Sequence, residues 1–210
     1  RDLHLSIRRQ RQMCIRDRTT NPSLMLKAGK DPREVLKEIS DIFPFHASVS
    51  AEVVGDTVEE MLEMADDYIE IGPNITIKVP LTPEGLKVCK ELSDDDVAVN
   101  VTLCFSTAQA ILAAKAGAAY VSPFVGRVYD QSFDGLKLIE EITDVYATHK
   151  QKTEVLAASI RDVHQVASCF RVGADICTIP SKIFSGMYKH ILTDQGIEKF
   201  NDDWSKLVGG

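Results

Sequence analysis

The 210-residue chain has no apolar run approaching the roughly 20 residues that span a bilayer, so no membrane partner is expected. A secretory leader is not expected either, since Leu3, Leu5 and Ile7 are too few to build an apolar core for one. The five cysteines, Cys14, Cys89, Cys104, Cys169 and Cys177, are an odd number without C-x-x-C spacing. That argues against a disulfide framework or a zinc site and fits a reducing, cytoplasmic compartment. Each is expected to be a small core residue or an inert thiol. His4, His46, His149, His164 and His190 form no metal-ligand spacing, and no metal is expected. No G-x-G-x-x-G or P-loop follows any candidate strand, which counts against an open doubly wound sheet with its usual phosphate cradle. No Pro/Ser/Gly-rich linker divides the chain, so a single domain is expected. Basic residues are also in deficit: 24 Lys and Arg against 31 Asp and Glu give a net charge of −7. A broad nucleic-acid footprint needs clustered Lys and Arg, so small-molecule or protein partners are expected instead.

The charge is unevenly spread. Residues 1–18 hold six arginines against Asp2 and Asp17, a local charge of +4, which leaves −11 on residues 19–210. The basic stretch is compositionally foreign to the rest and reads as a truncated or artefactual terminus, with an Arg-rich organellar presequence as the other reading.

What is present is an apolar fraction of 44%, enough for a sizeable core, arranged in short β-branched runs that alternate with segments of helical period. The runs predict strands over Arg18 to Asn21, His46 to Val53, Ile75 to Val79, Val97 to Leu103, Ala119 to Phe124, Glu154 to Ser159 and Ile176 to Ile179. Between them, helices are predicted over Pro32 to Ile42, from Thr57 with Glu60 as a capping box, and from Thr82-Pro83, a cap followed by proline at the first helical position. Further helices follow over Ser106 to Ala116, Gly135 to Thr148, Asp162 to Val172 and Ser181 to Ile191. Seven such units leave a vacancy for an eighth strand where the basic segment lies. The expectation is a TIM (β/α)8 barrel over residues 19–210, its first strand replaced or missing. An amphipathic helix over Ile197 to Leu207, with Phe200, Trp204 and Leu207 on one side, follows the last unit. It is expected to pack locally or to meet another subunit.

Strand residues alternate in direction, so each run splits into two faces. The third run divides into Ile75, Ile77 and Val79 against Thr76 and Lys78. The second divides into Ala47, Val49, Ala51 and Val53 against Ser48, Ser50 and Glu52, and the fourth into valines and Leu103 against Ala98, Asn100 and Thr102. In a barrel the outer faces meet helices, so the polar sets are expected inside. Asn21, Glu52, Lys78, Asn100, Thr102, Ser122 and Ser159 fall near the C-terminal ends of their strands, where barrel chemistry is done. Lys78, flanked by Ile77 and Val79, is costly to bury charged, which favours a neutral amine able to attack a carbonyl and form a Schiff base. A structural pair with Glu52 is the alternative. Glu52 and Thr102 could hold a water for proton transfer. Arg127 and Arg161 leave loops after adjacent strands and together suit a phosphate dianion, with a surface salt bridge as the alternative.

The stretches Thr19-Thr20-Asn21-Pro22-Ser23-Leu24, Ser50-Ala51-Glu52-Val53, Ile77-Lys78-Val79-Pro80, Asn100-Val101-Thr102-Leu103, Ser122-Pro123-Phe124-Val125-Gly126-Arg127 and Ala158-Ser159-Ile160-Arg161 together resemble the transaldolases. The likeness is to the small single-barrel bacterial type that groups with the fructose 6-phosphate aldolases. The resemblance implies an imine on Lys78 with a ketose phosphate, and proton handling by Glu52 and Thr102 through a water. Asn21, Asn100 and Ser122 would hold the dihydroxyacetone hydroxyls, and Arg127, Ser159 and Arg161 the phosphate. It implies transfer of that unit from fructose 6-phosphate or sedoheptulose 7-phosphate to an aldose phosphate in the pentose phosphate pathway, with no metal or added cofactor. Glu52 and Phe124 resemble the transaldolases, where the aldolases tend to carry glutamine and tyrosine, so transfer is expected over simple cleavage. A decamer of pentamers, with the C-terminal helix reaching a neighbour, is implied as well. The family opens with a strand of the form Phe-Leu-Asp-Thr-Ala, whose aspartate is the acid/base for the carbon–carbon bond, and continues through Asp-Gly-Val. Here Arg16-Asp17-Arg18 stands in place of Asp-Gly-Val, and neither Asp2 nor Asp17 has the flanks of that aspartate. The chain is therefore expected to form the imine but to turn over poorly, in a barrel open or mispaired at the first strand.

Overall fold

The computed structural model describes residues 17–43 and 47–209. Seven strands form one parallel sheet in sequence order: β1 (Asp17–Thr19), β2 (Ser48–Glu52), β3 (Ile75–Pro80), β4 (Val99–Cys104), β5 (Tyr120–Pro123), β6 (Glu154–Ala157) and β7 (Ile176–Cys177). Each strand pairs only with its sequence neighbours, and helices separate them, so the chain winds as a TIM-like barrel whose described part runs from β1 to β7. An eighth strand at the N-terminus falls to residues 1–16, outside the described residues, as do His4, Cys14 and His46.

The helices after the strands are α1 (Pro22–Ala28), α2 (Pro32–Ile42), α3 (Val58–Ile69), α4 (Pro83–Asp94), α5 (Thr107–Lys115), α6 (Val125–Asp130), α7 (Gly135–Thr148), α8 (Val163–Arg171), α9 (Ser181–Gly186) and α10 (Ile191–Val208). Their starts are set by local chemistry. Thr57 Oγ1 accepts the Glu60 N–H while Glu60 Oε2 accepts the Thr57 N–H, the reciprocal cap expected from the sequence. Thr82 caps α4 ahead of Pro83, also as expected. No helix among the described residues is long and apolar enough to cross a membrane.

The core lies between the sheet's outer face and the helices. Val49, Ala51, Ile77, Val79, Val99, Val101 and Val121 are fully buried there against α2, α3, α4 and α5. Fully burying a Val or Ile is worth about 1.5–3 kcal/mol, so this face drives closure of the layers. One residue departs from the predicted split. Leu103 was expected beside the valines, but β4 shifts register between Val101 and Cys104, and Leu103 adopts a φ of 59°. A left-handed residue breaks the two-residue alternation, and Cys104 takes the buried outer place instead.

The C-terminal helix begins at Ile191, six residues before its expected start, because α9 stops at Gly186 and His190 Nδ1 caps the Leu192 N–H. Phe200, Trp204 and Leu207 are exposed, Trp204 by 64%, and no residue of this helix is buried. Local packing on the barrel, one of the two expectations, is thus not what the described residues do.

Candidate active site

Lys78 projects from the middle of β3 into the concave side of the sheet, and only 3% of it is exposed. Its Nζ donates to Glu52 Oε2 at 2.7 Å and lies 3.5 Å from the carbonyl oxygen of Thr20. The two residues are register partners on adjacent strands, so the backbone ladder fixes the pair. Among the described residues Glu52 is the one carboxylate in hydrogen-bond reach of this amine. Both readings of Lys78 from the sequence meet here: it is buried as a reactive amine should be, and it is paired.

The next strand carries the polar set onward. Asn100 is the register partner of Lys78, fully buried, and Ser122 Oγ donates to Asn100 Oδ1 at 2.6 Å. Asn100 Nδ2 in turn points at Ser50 Oγ, 3.4 Å away. Thr102, two residues beyond Asn100 on the same face, is fully buried and its hydroxyl has no hydrogen-bond partner among the described residues. A buried hydroxyl without a partner costs about 1–3 kcal/mol, a cost that a water or a ligand hydroxyl would relieve. Serine, threonine and asparagine from three strands, β2, β4 and β5, therefore surround a lysine–glutamate pair.

Asn21 caps α1, its side chain accepting the Leu24 N–H at 2.9 Å, which leaves its amide NH2 as the group free to donate. A cleft of about 400 Å3 opens beside Glu52 and is lined in part by Thr20, Asn21, Met25, Met64 and Tyr68. A larger hollow of about 850 Å3, lined by Thr153, Glu154 and Asp175, lies at the opposite, N-terminal ends of β6 and β7. Barrel chemistry belongs to the C-terminal ends, which rules out the larger hollow; the smaller cleft reaches Asn21 and Glu52, while Lys78, Asn100, Thr102 and Ser122 do not line it.

The remaining candidates form a second group around α6. Phe124 precedes that helix, meets Phe105 edge to face at 5.7 Å between centroids, and supports the Arg127 guanidinium 4.9 Å above its ring. Ser159 adopts a φ of 61°, and its carbonyl oxygen lies so near Gly126 that a β-carbon there would come within 2.1 Å. Only glycine admits this approach of the β6 exit loop to α6. Arg161 Nη2 donates to Asp130 Oδ2 at 2.6 Å, so one of the two arginines makes the surface pair that the sequence left open. Arg127 has no carboxylate partner among the described residues.

Sequence reasoning passed over α1 and α6, which are seven and six residues long and too short to display a helical period. Asn21-Pro22 carried the same cap-then-proline signal as Thr82-Pro83. Asp130 gave no signal beyond its place three residues after Arg127. Gln165 did, since Asp162-x-x-Gln165 has capping-box spacing. Of the thiols, Cys89 and Cys104 are buried and burial pushes both up to about 12, as inert core residues should behave. Cys177 is less enclosed and hydrogen-bonds to Cys169, which raises its own proton affinity and lowers that of Cys169.

A parallel barrel-type sheet with a buried lysine–glutamate pair on its concave face, and two arginines at its C-terminal rim, defines the class: an α/β barrel protein built around one sequestered amine. The chain belongs to the transaldolase/fructose-6-phosphate aldolase family, whose model matches residues 3–210. It is 52% identical over 188 residues to a "Probable transaldolase" of Paracoccus denitrificans (strain Pd 1222), covering 90% of this chain and 86% of that one. A "Probable transaldolase" of Cereibacter sphaeroides (strain ATCC 17025 / ATH 2.4.3) is 53% identical over 188 residues, with 90% and 85% covered. One of Caulobacter vibrioides (strain NA1000 / CB15N) is 48% identical over 187 residues, with 89% and 85% covered.

Proposed function

We propose that this chain is a transaldolase that carries a dihydroxyacetone unit on Lys78, taking it from fructose 6-phosphate or sedoheptulose 7-phosphate and passing it to an aldose phosphate of the pentose phosphate pathway. The observation that carries the reading is the buried Lys78 amine 2.7 Å from the Glu52 carboxylate, on the face where the Thr102 hydroxyl lies buried without a partner among the described residues. Glu52 takes a proton from Lys78 as the amine adds to the ketose C2 carbonyl. The carbinolamine then loses its oxygen as water, with the proton returned through a water held between Glu52 and Thr102. Cleavage of the C3–C4 bond sends its electrons into the iminium and releases an aldose phosphate, and addition of the resulting enamine to a second aldehyde reverses the sequence. Asn21, Asn100 and Ser122 hold the hydroxyls of the three-carbon unit, while Arg127, Ser159 and Arg161 take the phosphate. Phe124 offers no hydroxyl to bring water toward the enamine, which favours transfer over release of free dihydroxyacetone. A second copy of the chain is the expected cover for the exposed Phe200, Trp204 and Leu207 face, in keeping with a homo-oligomer.

The C3–C4 step needs a base for the C4 hydroxyl proton. The described residues offer Glu52 as the one carboxylate near the amine, already engaged by it. The experiment therefore reads the imine, the step for which the described residues supply the amine and the proton acceptor. Borohydride reduction in the presence of fructose 6-phosphate, followed by peptide mass mapping, is expected to leave a reduced ketose adduct on the Lys78 peptide, six-carbon where the C3–C4 bond is intact and three-carbon where it has been cleaved, and none in Lys78→Ala. An adduct elsewhere, or none at all, overturns the assignment. Product analysis with and without an acceptor aldehyde then separates transferase from aldolase, because only the transferase stalls without acceptor.

A further inference from the structure

Arg161 is held at both of its ends. Its backbone N–H donates to Gln165 Oε1 at 2.9 Å, and the Gln165 N–H donates to the N-cap Asp162 Oδ1 at 2.8 Å, so the start of α8 ties down its main chain. At the far end, Nη2 donates to Asp130 Oδ2 at 2.6 Å. Between the two, the side chain crosses Gly126 so closely that a β-carbon there would stand 2.7 Å from Arg161 Nε. Asp130 ends α6, the helix that carries Arg127, and residues three apart are neighbours on a helix surface.

We propose that Asp130 is a positioning residue for phosphate recognition: it ties Arg161 to the helix that carries Arg127, so that two guanidinium groups present one fixed arrangement to the dianion of a sugar phosphate. The proposal rests on the reading of those arginines as the phosphate grip. Arg161 and Asp130 are about half exposed, at 53% and 50%, and exposed pairs add little to stability. Bidentate recognition of a phosphate by arginine depends on the plane of the fork. An arginine left free loses much rotamer freedom on binding, and Asp130 removes that freedom beforehand. The sign of the effect is diagnostic, because a carboxylate that acted only through its charge would repel phosphate, and its removal would tighten binding.

The test uses inorganic phosphate as the probe, titrated calorimetrically into the intact chain and into Asp130→Ala, Asp130→Asn and Arg161→Ala. Asp130→Ala is expected to weaken phosphate binding by about tenfold. The concentration of fructose 6-phosphate that half-saturates borohydride trapping on Lys78 rises by the same factor, while the maximal trapping yield and the value for unphosphorylated fructose stay within about twofold. Asp130→Asn keeps an oxygen to accept from Nη2 and is expected to retain near-original affinity. Unchanged or tighter phosphate binding in Asp130→Ala overturns the proposal, and so does a parallel loss for phosphorylated and unphosphorylated sugar. If Arg161→Ala binds phosphate as well as the original chain, the grip itself is wrong and the proposal falls with it. If Arg161→Ala loses binding and Asp130→Ala does not, the grip stands and only the role of Asp130 is lost.

Discussion

The middle of the sheet and β1, the first of its described strands, handle the same alternation differently. In β2, β3, β4 and β5 the outward positions are apolar, with Val49, Ile77, Val101 and Val121 fully buried beneath helices, and the inward positions are Ser50, Lys78, Asn100 and Ser122. In β1, the outward position opposite Val49 is Arg18, whose guanidinium lies 4.0 Å over the buried Phe43 ring. The middle separates stability from chemistry: one face excludes water and the other holds polar groups ready. At β1 a charged side chain occupies a place that should be apolar, and the two tasks interfere.

The largest effect that tests the chemical face falls on Glu52. Glu52→Gln keeps the size of the side chain and an oxygen for Lys78 but removes the proton acceptor. General acid–base groups contribute about 10²–10⁴-fold, so imine formation on Lys78, followed by borohydride trapping over time, is expected to slow by about 100-fold or more. A trapping rate within a few-fold of the original would mean that Glu52 only neutralises the amine, which returns the pair to a structural role.

Two buried hydroxyls on this face should respond oppositely in stability. Thr102 Oγ1 has no protein partner among the described residues, so Thr102→Val breaks no hydrogen bond within the described fold. Thermal unfolding is expected to show equal or higher stability, by up to about 1 kcal/mol, while turnover drops about tenfold or more. Ser122 Oγ satisfies Asn100 Oδ1, so Ser122→Ala leaves a buried carbonyl oxygen unpaired and is expected to lower stability by about 1–3 kcal/mol. If both variants shift stability in the same direction, the distinction between a satisfied and an unpartnered hydroxyl fails.

Much of this face was legible in the sequence for a simple reason. A period of two, with apolar residues on one side, allows only one choice of inside and outside for β2, β3 and β4, and that choice brings Glu52, Lys78, Asn100 and Thr102 to the same surface. The match was incomplete where a local conformation broke the period, as at Leu103, because no propensity marks a leucine for the left-handed region. It was also incomplete around α6. Arg127 and Arg161 could be read as a pair at one rim, but Asp130 could not be joined to Arg161 across 31 positions until Gly126 brought the two loops together. Contacts built by the exit loops depend on tertiary approach, and neither spacing nor composition encodes them.

The smallest expected effect concerns β1. Arg18 lies opposite Val49 and against Phe43. Its stacking on the ring is worth about 0.5–1 kcal/mol, somewhat more when desolvated. A valine gives up that contact and the arginine's other interactions but adds apolar area beneath α2, as at the matching positions of the other strands. Arg18→Val is expected to hold or raise Tm, by no more than roughly 2–4 °C for a chain of this size. The same substitution should leave borohydride trapping on Lys78 unchanged, because Arg18 faces away from the concave surface. A lower Tm would show that β1 has adapted to its arginine. A changed trapping rate would show that the outer wall and the amine are coupled, and the separation seen in the middle of the sheet would not extend to β1.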